Sequence, residues 1–173
     1  MNVLPAFKKI KTFVLDVDGV LTDSSILVLN DGQFARKMNI KDGYALQLAI
    51  KKGYNILVIS GGTSEAVKTR LQKLGITDVF IEVKDKAKVL MKYVIDKELL
   101  WEEVLYMGDD IPDLAVMKMC GLACCPVDAV AEIKQVSQYV SPIGGGDGCV
   151  RDVIEKVLKL NDHWHHDAET VSK

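Results

Sequence analysis

The sequence predicts an α/β fold, specifically a three-layer, Rossmann-like domain built on a parallel sheet. Two observations lead to this prediction. Short apolar runs rich in β-forming residues recur along the chain, beginning with KTFVLDV at residues 11–17 and NILVIS at 55–60. Amphipathic helical patterns separate these runs, and this alternation is typical of parallel strands covered by helices on both faces. Because such sheets bind ligands beyond the carboxyl ends of their strands, polar residues at those ends are candidates for chemistry.

Further strands and helices follow in order along the chain. The remaining strands are predicted at DVFIE 78–82, VLYM 104–107, LACC 122–125 and the short YVS 139–141. Helices are predicted at 44–52, 64–74, 86–97, from Pro112 through DLAVMKM, and at 150–160, from apolar residues spaced three or four apart. Gly53 and Gly75 end the first two helices, and Pro112 suits a first helical turn.

A predicted β-hairpin interrupts the alternation directly after the first strand. SILVLN at 25–30 and the segment 33–39 flank an Asp31-Gly32 turn. Nothing between the other strands is long enough for a second domain. The sequence therefore predicts one domain over residues 1–160, with the hairpin at about 25–39, and a flexible tail at 161–173 that lacks an apolar pattern.

Length and composition exclude several classes of protein. The chain has 173 residues, 49% hydrophobic and 27% charged, which suits one domain with a substantial core. A net charge of −2 and a pI near 5.9 argue against a nucleic acid as the main partner. Apolar runs stay well short of the roughly 20 residues of a membrane span, and the N-terminus lacks the features of a signal peptide. We therefore expect a cytoplasmic protein with no membrane partner.

Cysteines and histidines contribute little to the predicted chemistry. Four cysteines form no CxxC motif and are expected to be free thiols in a reducing compartment. The three histidines all lie in the predicted tail, where a mobile segment is expected more than a metal site. The lack of histidine elsewhere argues against a Ser-His-Asp or Cys-His hydrolase. The residues are Cys120, Cys124, Cys125, Cys149, His163, His165 and His166.

Carboxylates cluster after the first and fourth strands. Asp16 and Asp18 lie in DVDGVLTD, and Asp109, Asp110 and Asp113 lie in GDDIPD. The carboxyl ends of parallel strands meet at one edge of the sheet, so these side chains should converge. Clustered carboxylates repel one another unless a cation lies among them, and oxygen ligands without His or Cys suit Mg²⁺. A single Asp after a strand would indicate only a cap or turn, but two such motifs predict a magnesium site.

The residue spacing also predicts phosphate chemistry. Asp16 and Asp18 occupy alternate positions, so both can reach one substrate atom and divide nucleophilic and acid–base duties. Ser60, followed by Gly61-Gly62 and a helix, suits a phosphate oxygen, although a helix-capping Ser is common. Lys86 opens a helix, where its charge opposes the dipole, which suggests a bound anion; a solvated surface Lys is the alternative.

The motifs DVDGVLTD, ISG, Lys86 and GDDIPD, in that order, resemble those of the haloacid dehalogenase superfamily of phosphohydrolases. The resemblance covers nearly all of residues 11–160. It implies that Asp16 is the nucleophile that takes the phosphoryl group as an aspartyl phosphate. It also implies that Asp18 protonates the leaving alcohol and then activates the water that cleaves the intermediate.

The same resemblance implies a set of ligands. Mg²⁺ would be bound by Asp16, the backbone carbonyl of Asp18, and Asp109. Ser60 and Lys86 would hold the transferring phosphoryl group. Two further carboxylates, Asp110 and Asp113, would support the site.

A narrower resemblance is to the capless family of 3-deoxy-D-manno-octulosonate (KDO) 8-phosphate phosphatases. It is carried by the hairpin, the IKDGYALQL stretch, the lack of a cap domain and the ending SPIGGGDGCVRDV. It implies a phosphorylated sugar acid as substrate, a role in making KDO for lipopolysaccharide, and a homotetramer whose hairpins form a central barrel. The Gly-rich stretch would then reach toward a neighbouring active site. The implied substrate-binding candidates are Asp42, Gly61, Gly62, Gly145 and Gly146, with a helix N-cap as the alternative role of Asp42.

This chain departs from that family at two positions. Gly62 and Asp147 stand where the family has arginine, and both arginines would help to bind an acid sugar. We therefore expect a weaker preference for KDO 8-phosphate than in members that carry them. Alternatives at this point are a phosphatase for a related 2-keto-3-deoxy sugar acid, such as a nine-carbon 9-phosphate, a receiver-like domain that stores phosphate on Asp16, and an oligomeric scaffold. Asp18 argues against storage, because an acid–base group beside the intermediate promotes its hydrolysis.

Overall fold

Six parallel strands form the central sheet, in the order β5-β4-β1-β6-β7-β8. The computed structural model describes residues 2–165. The strands are β1 Thr12–Leu15, β2 Leu27–Val28, β3 Phe34–Ala35, β4 Asn55–Ile59, β5 Asp78–Phe80, β6 Val104–Met107, β7 Leu122–Cys125 and β8 Tyr139–Val140, of which β2 and β3 form the separate hairpin. In the register of the sheet, Leu15 at the end of β1 lies between Val58 and Met107. The carboxyl ends of the three central strands therefore meet at one edge, and the predicted fold class is confirmed.

Helices cover both faces of the sheet. The helices are α1 Leu4–Lys9, α2 Ile40–Lys51, α3 Glu65–Lys73, α4 Lys86–Asp96, α5 Leu114–Met117, α6 Ala131–Val136 and α7 Cys149–Leu160. Side chains alternate along β1, so Phe13 and Leu15 pack against α1, α2, α3 and α7, whereas Val14 packs against α4, α5 and α6. Within residues 2–165, no helix combines the length and the apolar character needed to cross a membrane.

Two differences from the sequence predictions have local causes. Helix α2 begins at Ile40, ahead of the predicted residue 44, because the Asn39 side chain accepts a hydrogen bond from Lys41 N at 2.8 Å and caps the extra turn. Helices α1 and α6 were not predicted. Each has six residues, which is too short to display a helical period.

The hairpin projects from the domain directly after β1. Leu27 pairs with Ala35 and Val28 with Phe34, and a single bridge between Thr22 and Met38 lies at its base. Its apolar side chains are exposed, at 64% for Leu27, 67% for Val28 and 56% for Phe34. The predicted hairpin is confirmed, and the described residues hold no inserted cap domain.

The predicted tail is described only as far as His165. Within this part, His163 Nδ1 lies 2.9 Å from the Tyr54 hydroxyl, and Trp164 packs edge-on against Tyr44. These residues therefore contact the domain rather than leave it. His166 and the rest of the predicted tail lie outside the described residues.

Candidate active site

The loop that follows β1 brings the first carboxylates to the edge of the sheet. Asp16 N donates to Met107 O at 3.1 Å, which extends the pairing of β1 with β6 by one residue. Val17 N then donates to Asp16 Oδ1 at 2.7 Å and orients the carboxylate. Gly19 has φ +83°, and a Cβ atom there would collide with the Asp109 carboxylate. Glycine at this position therefore allows both the turn and the approach of the second motif.

A buried network of charges lies behind Asp16. Lys86 Nζ is 2.8 Å from Asp16 Oδ2 and 2.7 Å from Asp113 Oδ1. The Tyr106 hydroxyl also donates to Asp113 Oδ1, at 2.7 Å, and Asp109 N donates to Asp113 Oδ2 at 3.1 Å. Asp113 is fully buried. Both of its oxygens are occupied by donors, so its carboxylate holds Lys86 and Asp109 in place.

The carboxylates fit a divalent cation. Oxygens of Asp16, Asp109 and Asp113 lie within 4.8 Å of one another, and Asp109 Oδ1 is buried with no hydrogen-bond partner in the described chain. Burial, followed by the nearby charge of Asp113, raises the pKa of Asp16 and that of Asp109 to about 7. A cation among these oxygens would favour their ionised forms. Asp113 is fully buried and does not line the cleft, so the carboxylates placed to bind Mg²⁺ from the cleft are Asp16 and Asp109, of which Asp109 Oδ1 has no hydrogen-bond partner in the described chain. Asp110 instead accepts from Ile111 N at 2.8 Å, on the exposed side of the motif.

Asp18 lies apart from this network and pairs with Arg36, the residue that follows β3. Arg36 Nε is 2.6 Å from Asp18 Oδ1, and Arg36 Nη2 is 3.2 Å from Asp18 Oδ2. The ligand role of the Asp18 backbone carbonyl stays a prediction. Sequence reasoning missed Arg36, since a charged residue on a hairpin carries no local signal of a long-range contact. It also missed Tyr106. The only sequence signal for its role is a hydroxyl-bearing residue within the buried VLYM strand, and that signal is weak.

A cleft of about 290 Å³ opens onto the Asp16 and Asp18 carboxylates. Ser60, buried at the end of β4, accepts a hydrogen bond from Gly62 N at 3.1 Å. This contact stabilises the turn at Gly61-Gly62, and both glycines line the cleft. The lining residues are Asp16, Asp18, Ser24, Ser60, Gly61, Gly62, Asp109, Asp110 and Pro112, of which Ser24 and Pro112 were not predicted as site residues.

A larger cavity, of about 500 Å³, lies beside α7. Its lining includes Arg151, Glu155 and Lys159, which pair with one another. We assign the smaller cleft as the candidate active site because it holds Asp16, Asp18 and Asp109, including the buried Asp109 oxygen that has no hydrogen-bond partner in the described chain.

Three predicted substrate-binding candidates, Asp42, Gly145 and Gly146, are not among the residues that line the cleft. Asp42 Oδ1 accepts from Arg151 N at 2.7 Å and caps the start of α7. Gly146 N donates to Val20 O at 3.0 Å, and a Cβ atom on Gly145 would collide with the backbone of Gly19. The two glycines therefore pack closely against the loop that follows β1 in this same chain.

Comparisons with known proteins extend this description. The KDO 8-phosphate phosphatase KdsC of Escherichia coli (strain K12) is 32% identical over 157 residues, which cover 91% of this chain and 84% of that protein. A crystal structure of KDO 8-phosphate phosphatase from Moraxella catarrhalis, in complex with magnesium ion, phosphate ion and KDO, matches with a TM-score of 0.90 and 30% identity over 93% of each chain. The cobalt-bound enzyme from Haemophilus influenzae matches with a TM-score of 0.86 and 26% identity over 91% of this chain and 92% of that one. No protein-family model matches the chain.

The parallel sheet and the carboxylate site at its edge are those of a phosphatase of the haloacid dehalogenase superfamily. The alignment with KdsC covers more than nine-tenths of the chain at 32% identity, and the solved structures have the same fold. The protein belongs to the capless KDO 8-phosphate phosphatase family, KdsC.

Proposed function

We propose that the protein hydrolyses KDO 8-phosphate to KDO and phosphate, with Mg²⁺, in the synthesis of lipopolysaccharide. The observation that carries this proposal is the Asp16 carboxylate, which lies 2.8 Å from buried Lys86 and opens onto a cleft that it shares with Asp18 and Asp109. The substrate is supported by the names of the relatives and by the KDO and phosphate in the Moraxella catarrhalis complex.

Asp16 acts as the nucleophile in the first step. One of its oxygens bonds to phosphorus while the bond from phosphorus to the sugar oxygen breaks. Asp18 enters this step protonated and donates that proton to the sugar oxygen, so the sugar leaves as a neutral alcohol and Asp18 is left as a carboxylate. The hydrogen bond from Val17 N and the ion pair with Lys86 orient Asp16 for this attack.

Asp18 acts as a base in the second step. It takes a proton from a water molecule whose oxygen attacks phosphorus, and the bond from phosphorus to Asp16 breaks. Phosphate leaves, and both carboxylates return to their starting states. Throughout, the Lys86 ammonium and the Ser60 hydroxyl bind the phosphoryl oxygens.

Asp16 and Asp109 would hold the magnesium ion. When bound, the ion neutralises charge on the transferring phosphoryl group. It would also favour the ionised forms of two carboxylates whose pKa values burial raises to about 7.

A substrate series tests the proposal. Phosphate release is measured from KDO 8-phosphate, a nine-carbon sugar acid 9-phosphate, neutral arabinose 5-phosphate and p-nitrophenyl phosphate, with Mg²⁺ and with EDTA. Asp16→Asn is the control for contaminating phosphatases. We expect Mg²⁺-dependent turnover that is fastest with KDO 8-phosphate, by a modest margin because Gly62 and Asp147 provide no positive charge. A preference for the nine-carbon substrate would reassign the substrate, and no release from any of the four would contradict phosphatase activity.

We propose a homotetramer as the working form, in the cytoplasm. The exposed apolar side chains of the hairpin support association, because a two-stranded hairpin is not stable alone in water and an exposed apolar edge favours pairing. The four cysteines are free thiols, as suits a reducing compartment. Light scattering at micromolar concentration should give about four times 19.1 kDa. A monomer mass would contradict the assembly, and Leu27→Ser with Val28→Ser should reduce it.

A further inference from the structure

Arg36 is a buried cation that the catalytic mechanism above does not use. Its side chain is only 5% exposed, although Leu27, Val28 and Phe34 of the same hairpin are exposed. Its Nε and Nη2 atoms meet the two carboxylate oxygens of Asp18, at 2.6 and 3.2 Å, in a side-by-side arrangement. Such a two-point contact fixes the plane of a carboxylate, which the single point charge of a lysine does not.

The pair has features of a functional arrangement. Arg36 Nη1 is buried with no hydrogen-bond partner among the described residues. A buried donor without a partner costs stability, so stability alone does not explain the placement of Arg36. Arg36 does not line the cleft, so it would affect the substrate only indirectly, by positioning Asp18.

Gly62 belongs to the same arrangement. A Cβ atom at position 62 would lie 3.0 Å from Asp18 Oδ2 and 3.3 Å from Arg36 Nη2, which is tighter than ordinary contact. A larger residue here would press on the ion pair from the side of the cleft. The absence of a side chain at position 62 therefore leaves room for the guanidinium that comes from the hairpin.

We propose that Arg36 is a positioning residue that aims the Asp18 carboxyl at the leaving oxygen of the substrate. The inference rests on the proposed phosphatase mechanism, in which Asp18 donates the proton to that oxygen and is left as the carboxylate, the form that the guanidinium stabilises. Through Arg36, the hairpin contributes to bond cleavage as well as to the outer surface of the domain. Loss of Arg36 should therefore greatly slow the release of a leaving group that needs a proton. It should have a much smaller effect on the release of a leaving group that does not need one.

Single-turnover kinetics with excess enzyme tests this, because leaving-group release then reports only the first step. The two substrates are p-nitrophenyl phosphate, whose leaving group departs as a stabilised anion, and the alkyl phosphate of the series above that the wild type hydrolyses fastest. The variants are Arg36→Gln and Arg36→Lys. The matched control is Lys37→Gln, which removes the same charge from the next residue of the hairpin, where Lys37 is 69% exposed and pairs with Asp23 at 3.1 Å.

For Arg36→Gln we expect alkyl release to fall about 10- to 100-fold, a part of the roughly 10²–10⁴-fold that acid–base catalysis supplies, and p-nitrophenolate release to fall less than about threefold. Arg36→Lys keeps the charge and should show a smaller selective loss. It also serves as the test should circular dichroism show that Arg36→Gln is unfolded. Lys37→Gln should match the wild type with both substrates.

Equal losses with the two substrates, or no loss with either, would overturn the role of Arg36. Equal losses would indicate general damage to the site, since positioning of Asp18 predicts a difference between leaving groups. A wild type that releases neither leaving group would contradict the proposed function itself, and the inference with it. The two failures are therefore distinguishable.

Discussion

Asp16 and Asp18 are two residues apart, yet different regions of the molecule hold them. Asp16 is held by the core, through Lys86 at the start of α4. Lys86 is held in turn by Asp113, whose carboxylate accepts from the hydroxyl of Tyr106 on β6. Asp18 is held by Arg36, which comes from the hairpin. We refer to these two sets of contacts as the core side and the hairpin side of the site.

The difference between the two sides follows the chemistry expected of each carboxylate. The core side is buried and connects β1, β6 and α4, so its geometry is as rigid as the packing of the domain. The hairpin side depends on two short strands whose apolar side chains are exposed. In the proposed mechanism, attack on phosphorus, which all phosphate esters share, would depend on the rigid core side. Protonation, which depends on the leaving group, would depend on the less constrained hairpin side.

The largest expected effect separates the two carboxylates by activity. Asp16→Asn should abolish turnover, because an amide is a poor nucleophile and a weaker ligand for Mg²⁺. Asp18→Asn should lower kcat by roughly 10²–10⁴-fold, the range of acid–base catalysis. Steady-state kinetics in saturating Mg²⁺ measures both. Near wild-type turnover in Asp16→Asn would show that the core side does not carry the nucleophile.

The next largest effect concerns stability of the core side. Lys86→Met leaves Asp16 and Asp113 buried without their cation, and breaking a buried pair in this way costs about 3–5 kcal/mol of unfolding free energy. Lys92→Met on the same helix is the matched control. Its exposed pair with Asp96 should contribute less than about 1 kcal/mol. Urea unfolding at fixed protein concentration compares the two, and similar losses would mean that Lys86 is not part of a buried network.

The core side could be predicted from sequence because its residues follow strands. Asp16, Ser60, Lys86 and Asp109 were predicted as neighbours, since the carboxyl ends of adjacent parallel strands meet, and the structure brings them to one edge of the sheet. Their catalytic roles remain predictions that the kinetics above would test. Arg36 could not be predicted this way, because its position depends on how a hairpin folds back over the sheet.

Glycines show a second limit of sequence reasoning. Gly145 and Gly146 were predicted as substrate-binding candidates in a stretch that reaches toward a neighbouring active site, and that role stays a prediction. Within this chain they lie very close to the backbone of the Gly19–Asp23 loop. A glycine-rich pattern indicates close approach but does not identify the partner, since the lack of a side chain serves a ligand and a backbone equally.

A smaller effect tests how much Tyr106 stabilises the core side. Tyr106→Phe removes the hydroxyl that donates to Asp113 at 2.7 Å, and we expect a loss of about 2 kcal/mol in unfolding free energy with a modest fall in kcat. Tyr93→Phe is the control, since Tyr93 donates to Asp78 at 2.9 Å in a part-buried position outside the cleft. It should leave kcat unchanged. A kcat that is also unchanged in Tyr106→Phe would show that Asp113 holds Lys86 without this hydroxyl.

The smallest effect concerns Asp42, which belongs to neither side and links α2 to α7. Asp42 lies in the first turn of α2, and its carboxylate caps α7 through Arg151 N. Burial raises the pKa of Asp42 from 3.8 to about 6. The folded state therefore binds a proton at Asp42 more tightly than the unfolded state does. As pH rises from about 4 to above 6, the contribution of Asp42 to the free energy of unfolding therefore falls.

Asp42→Asn removes that pH dependence and keeps an oxygen that can accept from Arg151 N. We expect it to raise the unfolding free energy by roughly 1 kcal/mol at pH 7.5, because the relief of a buried charge is partly offset by lost attraction to the start of α7. Near pH 4.5 the gain should shrink toward zero, since Asp42 is then already protonated in the fold. Asp42→Ala should be destabilising at both pH values, because the Arg151 N–H loses its acceptor. Urea unfolding of the wild type and the two variants at both pH values tests this prediction. If the difference in unfolding free energy between Asp42→Asn and the wild type does not change with pH, the buried charge of Asp42 is not what lowers the stability of the wild type.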